Sequence, residues 1–464
     1  MNEYNVRDFG AKGALGRDDT AAVQRAVDAC AQDGGGVVYV PPGTYECGTV
    51  ILRSHVRVYL ESGARLCSAR GASAFPKPAL FYGENCEHIS IEGRGIIDGR
   101  AEYDWRETDS RDHYIRDNEL LIRSTGRQTM RPFPRAECIG HLVLLMRCRD
   151  VLIRGVSMVD CPSWTIHPYG CERLTIDGVY IHSSREEGVW ADGIDPDGCR
   201  DVIISNCRID TGDDAIVFYS HDSLGPALPC ENITVTNCVL SSSSSALKFC
   251  DCNSTSIRNV VVTNCVITDS NRGIAFMVFD GGLVENVVIS DVTIDCRRHD
   301  WFWWGDGDPL HFRVIRRSEV DPRDEAAKRR PVGVVRGVKL RGIVASGEGT
   351  CTIHGHDESP LTDVTFDDVR LSLSVNPHAP YTKGKSALDV WNGNGLRFTR
   401  TEVRLAGTHC GPWERPAVFR DVTNLDMEGF STGSTAGTVW GEVELHDVLP
   451  STGASEVCEG GSHE

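Results

Sequence analysis

The sequence predicts an all-β solenoid, a parallel β-helix whose inward side chains form one continuous core. Three observations predict it. First, a short motif recurs: Cys86-Glu87-His88-Ile89-Ser90-Ile91, Cys148-Arg149-Asp150-Val151-Leu152-Ile153, Cys171-Glu172-Arg173-Leu174-Thr175-Ile176, Cys199-Arg200-Asp201-Val202-Ile203-Ile204, Cys230-Glu231-Asn232-Ile233-Thr234-Val235, and then the runs from Ile257 and from Val284. After residue 148 it returns roughly every 23 to 31 residues, within the range of a solenoid. Second, each unit carries short alternating β-branched strands broken by Asn, Asp, Gly or Ser turns. Third, no long helical pattern lies between the units, which excludes leucine-rich and helical repeats. One coil cannot bury its own apolar face, so the coils must stack.

The elements follow in order. Tyr4 to Phe9 reads as an extended strand and is followed by a Gly-rich turn. Asp18-Asp19-Thr20 is a helix start, with Asp19 or Thr20 as candidate N-cap. Ala22, Val23, Ala26, Val27 and Cys30 then recur at helical spacing until Gly34-Gly35-Gly36 ends the helix. Residues 1–45 are expected to form an N-terminal cap, because the open end of a solenoid exposes strand edges and core. The charged stretch 100–135, with Trp105, Tyr114 and Phe133, is expected to be an inserted loop lining a cleft. Fainter coils continue through 334–343, 361–371, 387–403 and 417–427. No linker marks a second domain, so 1–450 is expected to be a single domain. The Gly/Ser/Glu-rich tail 451–464 is expected to lack fixed structure.

The net charge of −18 over 464 residues disfavours nucleic acid and anionic membranes as partners. No run of about 18 apolar residues is present to span a bilayer. Met1-Asn2-Glu3-Tyr4 lacks the basic-then-apolar pattern of a secretory leader, which makes a cytoplasmic location the expectation, with a removed leader as the alternative. The 19 cysteines are odd in number and show no zinc spacing. They are read as reduced, buried and acting as small hydrophobes, with no metal or organic cofactor implied.

Two acidic motifs stand about one coil apart: Trp190-Ala191-Asp192-Gly193-Ile194-Asp195-Pro196-Asp197 and Asp210-Thr211-Gly212-Asp213-Asp214. Successive coils are about 4.8 Å apart, so Asp192 can meet the Asp213-Asp214 pair on one face. Close carboxylates repel, and at least one pKa should rise. A protonated carboxyl can then donate to a leaving oxygen while an ionised neighbour activates water, the division of labour in an inverting glycosidase, for which carboxyl groups about 6.5–9.5 Å apart are expected. Asp195 and Asp197 are read instead as turn or capping residues.

These motifs resemble those of glycoside hydrolase family 28, the polygalacturonase family. Asp192-Gly193-Ile194-Asp195 is similar to the family's N-T-D-G motif, and Gly212-Asp213-Asp214 to its (Q/G)-D-D. The resemblance reaches from Phe9-Gly10-Ala11 to the repeats near Asp291. It implies a right-handed, pectin-lyase-like parallel β-helix and single-displacement hydrolysis, with Asp213 as general acid and Asp192 and Asp214 holding or activating water. Two departures stand out. Where the family's G-H-G is due, the chain has Ser241-Ser242-Ser243-Ser244-Ser245, with no His. Where R-I-K is due, Ala275 and Met277 stand in place of Arg and Lys.

Lys248 and Arg272 lie in the right coils to supply a replacement positive charge as substrate contacts; a solvated Lys and a turn Arg are the bland readings. Trp301, Trp303 and Trp304, in a Gly/Pro-punctuated segment, suit the apolar faces of sugar rings, or else form a plug or subunit contact. His182, Trp190 and His167 are candidate cleft residues, with Tyr219, His221 and His311 behind them. The function expected is an exo-acting inverting hydrolase of pectin-related oligosaccharides. A polysaccharide lyase and a non-catalytic sugar-binding β-helix are the alternatives. An oligosaccharide is the expected partner, with no nucleic acid and no membrane; a homo-oligomer is compatible with the sequence.

Overall fold

The computed structural model describes the chain except for residues 1, 104, 108–131, 135–138, 253–254, 300–304, 321–328, 376–384, 408–412, 435–440 and 452–464. It is the parallel β-helix that the repeats predict. The strands fall into three parallel rows; in Ser256–Ser270, Leu283–Cys296 and Val334–Gly347 one long strand serves the first two rows together. One row runs through Gly36–Val40, Val56–Leu60, Glu87–Gly93, Arg149–Arg154, Glu172–Asp177, Arg200–Ser205 and Cys230–Thr236. A second runs through Gly43–Cys47, Ala64–Ser68, Ile96–Asp98, Ser157–Val159, Tyr180–His182, Arg208–Thr211 and Val239–Ser242. The third, which carries the site, includes Ala79–Glu84, His141–Met146, Ile166–Tyr169, Ile216–Ser220, Ser245–Cys252, Arg272–Phe279, Asp308–Ile315, Cys351–His354, Ser386–Asn394 and Arg415–Leu425.

The recurring motif marks a corner of the coil. His88, Asp150, Arg173, Asp201, Asn232, Asn259 and Asn286 all take left-handed backbone, with φ between 52° and 60°. Asn and Asp tolerate this conformation best among side chains with a Cβ, which explains why the motif favours them. Stacked corners join through their amides: Asn259 Nδ2 donates to Asn232 Oδ1 at 3.0 Å, and Asn264 Nδ2 to Asn237 Oδ1 at 2.6 Å. Inside, like residues stack on like. Phe249, Phe276 and Phe312 lie in a column with ring centroids 4.3 Å apart at each step. Truncating one such ring to Ala is expected to cost about 3–5 kcal/mol. The cysteines whose side chains are described are buried and unbridged.

The helix spans Thr20–Gln32 and buries Ala22, Val23, Ala26, Val27 and Cys30, the residues picked by their spacing. It packs on Glu3–Asn5, Gly36–Val40, Val50–Ile51 and Val56–Leu60, at the N-terminal end of the coils. Asp19 stands at the N-cap position, but its side chain does not cap the helix. Its carboxylate instead accepts the N–H groups of Lys12 and Gly13, at 2.6 and 2.9 Å, and so ties down the Gly-rich turn. The inserted stretch 100–135 and the tail from 451 lie for the most part outside the described residues.

Candidate active site

The outward face of the third row brings the two acidic motifs together. Asp192 and Asp214 occupy equivalent places on neighbouring coils, since Ile194 pairs with Ile216. One carboxylate oxygen from each of Asp192, Asp213 and Asp214 lies within 4.8 Å of the other two. This is tighter than the carboxyl spacing of about 6.5–9.5 Å expected of an inverting site. Adjacency along the chain and stacking across coils set the distance. Small residues make the approach possible. A Cβ on Gly193 would meet the Ala215 carbonyl oxygen at 2.4 Å, and one on Gly212 would meet that of Ser184 at 2.3 Å.

Each acid has a different environment. Asp214 accepts from Lys248 Nζ at 2.7 Å and from the Ser245 N–H at 2.9 Å. Asp213 accepts from the Trp190 N–H at 2.9 Å and from the Asp214 N–H at 3.1 Å. Asp192 also accepts from the Asp214 N–H, at 2.9 Å. Burial, together with the charges of Asp213, Asp195 and Asp214, pushes the Asp192 carboxyl well above the usual carboxylate range. Burial works against the Lys248 ammonium, but the charges of Asp214, Cys250 and Asp213 more than offset it, so this lysine stays charged. One lysine cannot neutralise three carboxylates in contact, so the cluster also holds a proton as a unit.

Asp195 departs from the turn role expected of it. It is fully buried, and neither carboxylate oxygen has a hydrogen-bond partner among the described residues. Burial and the charges of Asp214 and Asp213 hold it well above the usual carboxylate range. Asp197 is buried too, and its Oδ1 accepts the His221 N–H at 2.8 Å, a bond to the next coil rather than within its own turn.

The serine run is a scaffold for the acids. Ser242 Oγ donates to the Asp213 carbonyl at 2.7 Å, the Ser245 N–H holds Asp214, and Ser243 Oγ donates to the Arg185 carbonyl at 2.9 Å. Arg185, which the sequence reading did not single out, fastens the segment leading to Trp190. Its guanidinium meets Asp210, Ser241, the Asp269 carbonyl and His299. A lone Arg just before an acidic motif carried no repeat or motif signal. Trp190 follows on this segment, 45% exposed and with φ of 67°, a conformation that bulky side chains rarely adopt. It stands beside Asp213, as its hydrogen bond shows.

The remaining candidates separate. Lys248 belongs to the acid cluster, where its ammonium donates to Asp214. Arg272 is mostly covered: its Nη1 lies 3.3 Å from Met277 Sδ, and its Nε 3.7 Å from Asp308. His311 hydrogen-bonds Asp308 at 2.7 Å, and burial drives its pKa down to about 4. His167, expected in the open cleft, is only 1% exposed. It packs edge-on against Trp164 at 4.5 Å, and Trp164 in turn stacks on Tyr219 at 4.9 Å. His182 lies on the neighbouring row, where Asp210, 3.3 Å away, occupies it. Trp301, Trp303 and Trp304 lie outside the described residues.

The model of the family described as glycosyl hydrolases family 28 matches residues 30–296. A probable polygalacturonase of Vitis vinifera is 28% identical over 235 residues, 46% of this chain and 43% of the relative. An exopolygalacturonase of Platanus acerifolia is 24% identical over 239 residues, 51% of this chain and 56% of the relative. The chain thus spans about half the length of these curated relatives. Among solved structures, the hyperthermoactive exopolygalacturonase from Thermotoga maritima shares the fold with a TM-score of 0.63 at 22% identity, over 92% of both chains.

Proposed function

Because the chain belongs to glycosyl hydrolases family 28, we propose that it hydrolyses a glycosidic bond in a pectin-related oligosaccharide, releasing units from the chain end. The observation that carries this reading is the convergence of Asp192, Asp213 and Asp214 within 4.8 Å around the single ammonium of Lys248. The names of the plane-tree and Thermotoga exopolygalacturonases support the substrate class and the exo mode.

In this mechanism Asp213 carries the cluster's proton to the leaving glycosidic oxygen. Asp214, paired with Lys248, and Asp192 accept hydrogen bonds from the attacking water, and one of the two takes its proton. Water adds to the anomeric carbon as the bond to the leaving oxygen breaks, so the configuration inverts. Burial removes competing solvent and strengthens each charge–charge interaction.

The test is turnover of a panel of pectic and hemicellulosic oligosaccharides, with Asp213→Asn as control and proton NMR on the fresh product. Inverted product, lost in the variant, is the expected result. Retained configuration would overturn the single-displacement step. An unsaturated, ultraviolet-absorbing product would mean a lyase. Binding without turnover by both proteins would mean a sugar-binding β-helix.

A further inference from the structure

The face that carries the acids continues past them. By strand register, Lys248 is followed outward along the solenoid by Ala275, His311, Thr352 and Asp389. Beside that column run Met277, Arg313, His354, Trp391 and Arg420. Side chains alternate between core and exterior along a strand, and the neighbours of Trp391 show which way it points: Val390 is fully buried, while Trp391 is 40% exposed.

Trp391 is held in one orientation. Its indole N–H donates to Asp421 Oδ2 at 2.9 Å, and the His354 ring meets it edge-on at 5.7 Å and 88°. His354 is itself fixed by Asp389, Nε2 to Oδ2 at 3.1 Å, and Arg420 lies 3.8 Å from the other Asp389 oxygen. Two polar side chains, Asp421 and His354, therefore hold a large aromatic ring that is not part of the core, and Asp389 in turn holds His354. Fold stability gives little reason for that arrangement, whereas a pre-oriented ring with a carboxylate and a guanidinium at its edge matches what a sugar ring requires. Arg313 lies between Trp391 and the acids in strand register, and it is exposed.

We propose that Trp391, with His354, Asp389 and Arg420 around it, is a distal binding platform for a pyranose ring of the same substrate chain that reaches the acids, with Arg313 meeting an anionic ring on the way. The platform lies four strands from Lys248, about 19 Å at the spacing of stacked strands. The chain in the cleft must therefore be an oligosaccharide of several units. This inference rests on the hydrolase reading above, because the occupant is that reaction's substrate.

The test is calorimetric binding of galacturonan oligosaccharides, from dimer to octamer, to the full chain carrying Asp213→Asn. The affinity is expected to rise again once the oligosaccharide is long enough to reach the platform. Adding Trp391→Ala should remove that rise, weakening the longest chains about tenfold while the dimer binds as before. Trp391→Phe should keep most of it, which separates a stacking loss from misfolding. Equal binding of all lengths by the Ala and parent proteins would overturn the platform and leave the hydrolase reading standing. Failure of every galacturonan to bind either protein would overturn the pectic substrate and the platform together.

Discussion

Lys248 Nζ sits 2.7 Å from Asp214 Oδ2, and both side chains are mostly buried, at 16% and 2% exposure. Lys248 lies in the coil where the family pattern places a histidine, one coil beyond Asp214, and its ammonium donates back to that acid. Removing one partner of such a pair leaves an uncompensated charge. Lys248→Met is expected to cost about 3–5 kcal/mol of stability and to abolish turnover. The double variant Lys248→Met/Asp214→Asn should recover most of the stability and none of the turnover. Urea unfolding and kinetics on all four corners of the cycle check both statements.

Asp213→Asn keeps the shape of the site and removes the proton that the leaving group needs. Turnover is expected to fall about 10³-fold. The melting temperature should fall only modestly: Trp190 and Asp214 donate to different oxygens of Asp213, so the amide keeps one of the two acceptors. Wild-type kinetics in this variant would remove Asp213 from the mechanism.

Asp197 supplies a pH prediction. Burial and the Asp222 charge raise its pKa to about 7, against the lowering effect of the His221 N–H and ring; His167, 3.5 Å away, is the other group facing it. A carboxyl raised in the folded state resists ionisation there. Its contribution to stability is therefore complete below the ordinary carboxylate range and is lost as pH rises through about 7. Asp197→Asn should match the parent near pH 4 and exceed its stability by about 2–4 kcal/mol at pH 8. Denaturant midpoints across that range provide the measurement; parallel curves would contradict the assignment.

Trp190 combines a left-handed backbone with an exposed ring beside the acids. Trp190→Gly should relieve about 1 kcal/mol of backbone strain while raising KM. Arg185→Met should act on the same segment from the other end, lowering kcat through the position of Asp213 with a smaller effect on KM. A chemical denaturation series and a KM-against-kcat comparison separate the two. Identical kinetics in all three proteins would show that the segment is a bystander.

The solenoid and its acid pair were legible because both are periodic or local signals. The Asn and Asp corners announce themselves once per coil, and Asp213-Asp214 is a short motif on an inferred strand. What lay hidden was pairing across coils. Nothing in the sequence around Lys248 says that its ammonium rests on a carboxylate 34 residues earlier. Asp195 read as a turn residue because its neighbours Pro196 and Asp197 are turn formers, yet its side chain is fully buried on the face that carries the acids. His167 and His182 looked equivalent in the sequence. Their fates differ because one faces a wall of Trp164 and the other lies on the next row.

The left-handed corners give the solenoid an independent index on every turn. Some forty residues of sequence separate Asp98 from His141, yet Val143 still pairs with Phe81 and Val151 with Ile89. That length of sequence does not carry over into the alignment of the next coil. Segments bordering the cleft are therefore free to lengthen, shorten or change composition one coil at a time, and a lineage built on this frame can acquire a new sugar preference without re-learning how to fold.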